Sequence, residues 1–126
     1  NNSARLTYSI TASQPVCCMP SAMLTIVCRN LLDNAFKYSK ANTAVVLAAN
    51  LTATALKITI SNHAHINPAD LANMATRFWR KGAENGAGLG LSIVASIAEK
   101  YQGSLILKND NALFIAEFTV PVKVNN

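Results

Sequence analysis

Apolar and polar positions alternate at the start of the chain. Leu6, Tyr8 and Ile10 are interleaved with Thr7, Ser9 and Thr11, which is the period of a half-buried strand. Pro15 and Pro20 interrupt that pattern, and Ser21 is placed to cap a helix running to about Tyr38. Along this helix Leu24, Val27, Cys28, Leu31 and Ala35 fall on one arc at about 100° per residue. Residues 44–49 and 56–60 read as two strands joined around Asn50-Leu51-Thr52. A short helix over 71–77, started by Asn67-Pro68 or Asp70, precedes a polar, glycine-bearing loop from residue 79 to 88. Leu89, Ile93, Val94, Ile97 and Tyr101 then recur at helical spacing up to Gln102-Gly103. Strands over 105–107 and 113–120 flank Lys108-Asn109-Asp110-Asn111, which has hairpin-turn chemistry. Hairpins set beside helices in this order predict an α/β fold: a two-layer sandwich on a mixed sheet.

Two stretches carry candidate chemistry. The chain has five glycines, and Gly82, Gly86, Gly88 and Gly90 all fall within a nine-residue window. Glycines feeding a helix amino terminus let backbone lie close to a ligand and present unpaired N–H donors, which suits a phosphate. The same run is equally compatible with a surface loop leading into an ordinary core helix. On the first long helix Asn30, Asn34, Lys37 and Tyr38 share a stripe of about 100° beside the apolar arc, while Thr25, Arg29, Asp33 and Lys40 lie on the far side. An amide oxygen is a hard ligand of the kind Mg²⁺ prefers, a lysine can neutralise phosphate, and a tyrosine can lie against a base. The stripe also fits solvated amides, an exposed lysine and a core tyrosine. Asparagine is a mediocre helix former, though, so two on one face call for a reason.

Composition narrows the classes. A 126-residue chain that is 51% hydrophobic and 13% charged is long enough for one domain with its own core. The net charge of +5 favours an anionic partner, but no dense basic run with aromatics points to nucleic acid. Cys17, Cys18 and Cys28 form neither a metal spacing nor a disulfide framework, and read as reduced thiols of a cytosolic setting. The longest apolar runs fall short of a membrane span, and the Asn-Asn-Ser-Ala-Arg start has neither Met nor a signal pattern, as expected of an excised piece of a longer protein.

Together these segments resemble the catalytic ATP-binding domain of bacterial sensor histidine kinases, in the superfamily that includes gyrase, a heat-shock chaperone and mismatch-repair ATPases. Residues 30–39 (Asn-Leu-Leu-Asp-Asn-Ala-Phe-Lys-Tyr-Ser) match its asparagine box. Arg77-Phe78-Trp79-Arg80 matches the phenylalanine box, and residues 86–94 (Gly-Ala-Gly-Leu-Gly-Leu-Ser-Ile-Val) match the second glycine box. Order and spacing agree from about Leu6 to Pro121, so residues 1–126 are expected to form one such domain. The resemblance implies a Bergerat-type sandwich, its mostly antiparallel sheet covered on one face by about three helices, with ATP and Mg²⁺ as cofactors. It makes Asn34 the Mg²⁺ ligand, Asn30 a supporting contact, Lys37 a phosphate contact and Tyr38 a flank for adenine. Arg80, with Lys81 beside it, would meet the γ-phosphate, and Phe78 would anchor the lid. Gly86, Gly88, Leu89, Gly90 and Leu91 would hold the triphosphate, with Asn62 and Ile66 lining the base pocket. The implied activity is phosphoryl transfer to a histidine on a separate dimerisation domain, then relay to a response regulator. The parent protein would be a membrane-anchored homodimer whose cytoplasmic portion includes this chain, itself a monomer that binds nucleotide but transfers phosphate slowly alone.

One segment departs from the pattern. Where the family carries an aspartate followed by two glycines, this chain reads Ser61-Asn62-His63-Ala64-His65, with Asn62 at the aspartate position. A neutral amide accepts more weakly than a carboxylate, and Ala64 and His65 must turn with less φ freedom. This leaves open a degenerate module that docks to its partner and has weak or lost ATP binding. Another superfamily member, such as an anti-sigma factor kinase, is disfavoured by the phenylalanine box. A dinucleotide-binding unit would need a strand before Gly86-x-Gly88, and residues 77–85 are charged and polar. His63 and His65 read as a polar turn, since two histidines do not make a zinc site.

Overall fold

The computed structural model describes residues 6–12, 19–64, 67–69 and 87–122. The elements are β1 (Leu6–Ala12), α1 (Ser21–Tyr38), β2 (Val45–Leu51), β3 (Ala55–His63), α2 (Ala87–Lys100), β4 (Ser104–Asp110) and β5 (Leu113–Pro121). The strands form one mixed sheet in the order β1-β2-β3-β5-β4. Only β1 and β2 are parallel, and α1 supplies the crossover that a parallel pair requires. The short helix expected over 71–77 lies outside the described residues.

Strand alternation decides which side chains meet the helices. Leu56, Ile58 and Ile60 of β3 and Phe114, Ala116, Phe118 and Val120 of β5 point into one layer and are buried. They meet Val27, Leu31 and Ala35 of α1 and Leu91, Val94, Ile97 and Ala98 of α2, which completes the two-layer sandwich. On the opposite face Glu117 accepts from Lys108 Nζ at 3.1 Å and lies 3.9 Å from Lys57 Nζ. Such an ion-pair set at the surface adds little stability, and it marks this face as the solvent side.

Several boundaries and faces differ from the sequence expectation. Ser21 is the first helical residue and not the cap; Pro20 takes that position, with no side-chain hydrogen bond, and its carbonyl accepts from Met23 and Leu24 N–H. Tyr8 and Ile10 pair with Leu47 and Ala49 on the helix side of the sheet, yet are 66% and 70% exposed. They sit on an edge strand, where burial on the neighbouring strand does not extend. On α2 the buried set is Leu91, Val94, Ile97 and Ala98, whereas Ile93 is exposed. A helix packed against both a sheet and a second helix buries a face rotated from the one that apolar spacing alone suggests.

The β4–β5 turn also shifts, to Asn111 and Ala112, with φ of 51° and 69°. Two consecutive positive φ values are the requirement of a two-residue type I′ hairpin, and Ala112 occupies a position that favours glycine. At the end of α2, Gln102 takes the left-handed conformation (φ 65°), while Gly103 N–H bonds Ala98 O at 2.7 Å and Gln102 N–H bonds Glu99 O at 3.1 Å. This is a Schellman closure. Gly103 is needed for space: a Cβ there would overlap the Thr119 carbonyl oxygen and come within 2.8 Å of Val120 Cγ1.

Urea denaturation should separate these two positions. Gly103→Ala is expected to cost roughly 3 kcal/mol, since backbone must move to admit the methyl group. Ala112→Gly should raise stability by about 1 kcal/mol by relieving the left-handed alanine.

Candidate functional site

The two helices run in opposite directions, which follows from their ends. Lys40 N–H, just past α1, bonds His63 O at the end of β3 at 2.9 Å. The carboxyl end of α1 therefore sits where β3 finishes and β5 begins. Gly103, after α2, lies against Thr119 near the other end of β5. The amino end of α2 consequently stands at the same end of the molecule as the last turns of α1 and the end of β3. There the N–H groups of the first described helical turn have no intrahelical acceptors among the described residues.

Three asparagines converge on this end. Asn34, on the penultimate turn of α1, is 6% exposed, and its Oδ1 is buried with no hydrogen-bond partner among the described residues. Asn62 is 1% exposed, and neither its Oδ1 nor its Nδ2 has a partner among them. It occupies the inward register of β3 after Leu56, Ile58 and Ile60, opposite the buried Val45 and Phe114. Asn30 lies one turn before Asn34, donates Nδ2–H to Ile26 O at 2.8 Å, and directs Oδ1 toward Gly90.

Gly90 has a role the sequence did not reveal. It is inside α2, and a Cβ there would stand 3.3 Å from Asn30 Oδ1, tighter than ordinary contact. The missing side chain lets the two helices close at the site. Gly88 and Leu89 share the first turn of α2, so the helix begins before the point that apolar spacing suggests. Leu91 is wholly buried in the core. Spacing also passed over Ser92, which is buried; a serine inside the apolar run of 89–94 is the only sign in the sequence.

The remaining stripe residues divide. Lys37 is exposed in the last turn of α1, where a cation also complements the negative end of the helix dipole. Tyr38 is half-buried with its hydroxyl inside. Cys28 is a free thiol on the flank of α1, and burial raises its pKa. His63 is exposed at the end of β3. Ile66, Arg80, Lys81 and Gly86, together with His65 and the phenylalanine box, lie outside the described residues.

The charge balance of the site is plain. Among the described carboxylates, Asp33 is on the exposed side of α1, Glu99 is at the far end of α2, and Glu117 and Asp110 are on the outer face of the sheet. No group of three or more His, Cys, Asp or Glu among the described residues can hold a metal. What is left is a neutral amide cluster beside a helix amino terminus.

The chain matches the family described as histidine kinase-, DNA gyrase B- and HSP90-like ATPase over residues 20–124. It belongs to that family. It is 32% identical over 91 residues to the heme sensor protein HssS of Staphylococcus haemolyticus, covering 70% of this chain and 20% of that protein. It is 37% identical over 79 residues to the sensor protein QseC of Escherichia coli, covering 61% and 17%. The chain thus spans a fifth or less of these relatives. In fold it is similar to the catalytic domain of histidine kinase ThkA, with a TM-score of 0.77 and 18% identity over 95% of this chain and 81% of that one. The mycobacterial sensor histidine kinase MprB gives 0.70 and 20%, covering 97% and 87%. The five-stranded mixed sheet with two described helices is the α/β architecture of these ATPase domains. No helix among the described residues is long and apolar enough to cross a membrane.

The Gly90–Asn30 contact predicts non-additive stabilities. Gly90→Ala should be neutral or destabilising alone, because helix propensity gained is offset by crowding of Asn30 Oδ1. In an Asn30→Ala background the same change should stabilise by up to about 1 kcal/mol. A double-mutant cycle by chemical denaturation reads the difference.

Proposed function

We propose that this chain binds Mg-ATP and presents its γ-phosphate to a histidine on a separate dimerisation domain of a sensor kinase, for relay to a response regulator. The observation that carries this reading is the pair of buried amides, Asn34 and Asn62, unsatisfied among the described residues and set around the amino end of α2. A buried polar atom without a partner costs about 1–3 kcal/mol, and a ligand that supplies the missing partners relieves that cost. Family membership says which ligand to expect.

The residues fit a magnesium nucleotide. Asn34 Oδ1 would hold the metal, being an oxygen ligand of the kind Mg²⁺ prefers. When bound, the ion neutralises charge on the phosphates. Asn30, whose Nδ2 donates to Ile26 O, would offer its Oδ1 as a supporting polar contact to metal or phosphate. The free N–H groups of residues 87–90 bind phosphate oxygens, and the positive end of the α2 dipole favours their charge. Lys37, exposed one turn from Asn34, adds a cation. Asn62 meets the base, and Tyr38 flanks it. Arg80, Lys81, Ile66 and Gly86 take the roles that the family resemblance gives them.

Phosphoryl transfer of this type depends on positioning and charge stabilisation more than on covalent help. The attacking imidazole nitrogen comes from the partner domain, takes the γ-phosphoryl group and releases ADP. A neutral imidazole nitrogen attacks with its own lone pair, which agrees with the lack of carboxylates facing the described site. Residues 1–126 act as one catalytic domain, on the cytoplasmic side of a membrane-anchored homodimer. The amide at position 62 favours a second reading, a docking module with weakened ATP binding.

Calorimetric titration with ATP, with and without Mg²⁺, tests both. Wild-type protein should bind Mg-ATP. Asn34→Ala should lose about tenfold or more in Mg²⁺-dependent affinity, as expected for one buried polar contact. Its melting temperature without ligand should be unchanged or higher, since the substitution removes an unpartnered acceptor. Unchanged Mg-ATP affinity in a folded Asn34→Ala protein would exclude Asn34 as the metal ligand. No binding of ATP by wild type at millimolar concentration would leave the docking module as the better description.

A further inference from the structure

Asn62 presents an unusual pair of buried groups. Its Oδ1 can accept and its Nδ2 can donate, and neither has a partner among the described residues, although the residue is 1% exposed. Val45 and Phe114, its cross-strand neighbours on the inward face, are both apolar. A group placed there must therefore offer one donor and one acceptor side by side. The edge of a purine does so in two ways. A 6-aminopurine offers its amino hydrogen as donor and ring nitrogen 1 as acceptor. A 6-oxopurine offers the reverse, a protonated nitrogen 1 and the 6-oxygen.

A carboxylamide can meet either edge. A half-turn about its last side-chain bond exchanges Oδ1 and Nδ2, which are nearly equal in size. In one orientation Oδ1 accepts from the 6-amino group and Nδ2 donates to nitrogen 1. In the other, Nδ2 donates to the 6-oxygen and Oδ1 accepts from the protonated nitrogen 1. Both arrangements satisfy both buried atoms with two hydrogen bonds. A carboxylate at the same place has acceptors only, so it would meet the 6-oxygen with like charge and leave the ring nitrogen of a 6-aminopurine without a donor.

We infer that Asn62 is a specificity-determining residue that admits 6-amino and 6-oxo purine nucleotides alike. The inference rests on the nucleotide-binding reading given above. Asn62 sits in the sheet and not on a loop, so the choice of base is built into the scaffold. What selects the ligand is then the triphosphate and the purine outline, with little discrimination at position 6.

Competition binding to the wild-type protein with Mg²⁺ present tests this, using ATP, inosine triphosphate and purine riboside triphosphate, which has hydrogen at position 6. ATP and inosine triphosphate should bind within about tenfold of each other. Purine riboside triphosphate should bind more weakly than both by about fivefold or more, having lost one of the two bonds. Asn62→Asp should weaken inosine triphosphate relative to ATP by about tenfold or more, from an unsatisfied buried acceptor. If that variant does not fold, the wild-type series alone decides. ATP binding accompanied by a preference of more than about tenfold for either base would overturn the inference and leave the ATP reading standing. So would a folded Asn62→Asp protein with an unchanged ratio, or purine riboside triphosphate binding as well as ATP. Binding of none of the three would remove the nucleotide reading and this inference together.

Discussion

The structure depends on the close approach of α1 and α2 at the Asn30–Gly90 contact. With no side chain at Gly90, the helices close to where a Cβ at that position would stand 3.3 Å from Asn30 Oδ1. The bond from Lys40 N–H to His63 O fixes the end of α1 to the end of β3, so the same approach settles what stands beside what. Asn34 comes from one helix, the free N–H groups from the other, and Asn62 from the strand beneath. Moving either helix by one turn, about 5.4 Å, would separate the amides from the helix terminus. At the opposite end Gly103 performs the matching task by letting the close of α2 lie against Thr119.

Much of this was legible in the sequence, for reasons particular to each element. Strand β3 was clear because Leu56, Ile58 and Ile60 alternate strictly, and that parity already assigns Asn62 to the buried side. Helix α1 was clear because its apolar arc is regular and Pro20 marks its start. The proline also displaced the expected serine cap: its carbonyl opens the hydrogen-bond ladder, which leaves Ser21 inside the helix. Asn34 could be placed at the edge of the arc, but its near-complete burial depends on the sheet and the second helix, which a single-helix projection does not contain. Tyr8 and Ile10 were misread as half-buried because alternation does not show that a strand lies at the edge of its sheet. The glycines were read only in part. Their clustering suggested backbone freedom near phosphate, whereas at Gly90 the identifiable need is room for Asn30. Family membership was legible from the order of the three boxes, and one of those boxes lies outside the described residues.

The amide cluster has an energetic consequence. Three buried side-chain polar atoms, Asn34 Oδ1 and both polar atoms of Asn62, lack partners among the described residues. At about 1–3 kcal/mol each, such a deficit is comparable to a large part of the 5–15 kcal/mol that holds an ordinary domain folded. A chain of this size can carry it only because the remaining layer is apolar and closely packed, with Phe114, Phe118, Leu31 and Leu91 fully enclosed. The same core that makes the fold stable thus makes an unsatisfied polar site tolerable.

It follows that binding and folding are coupled here with a definite sign. A ligand that supplies partners to those atoms binds the folded chain and not the unfolded one, so it stabilises in proportion to the logarithm of its concentration over its dissociation constant. The unfolded chain loses nothing by comparison, because its amides are hydrated. Because the groups in deficit are amides, that coupling does not depend on the protonation of Asn34 or Asn62. The amides themselves can contribute only neutral donors and acceptors. Charge on a ligand would be met by the positive end of the α2 dipole.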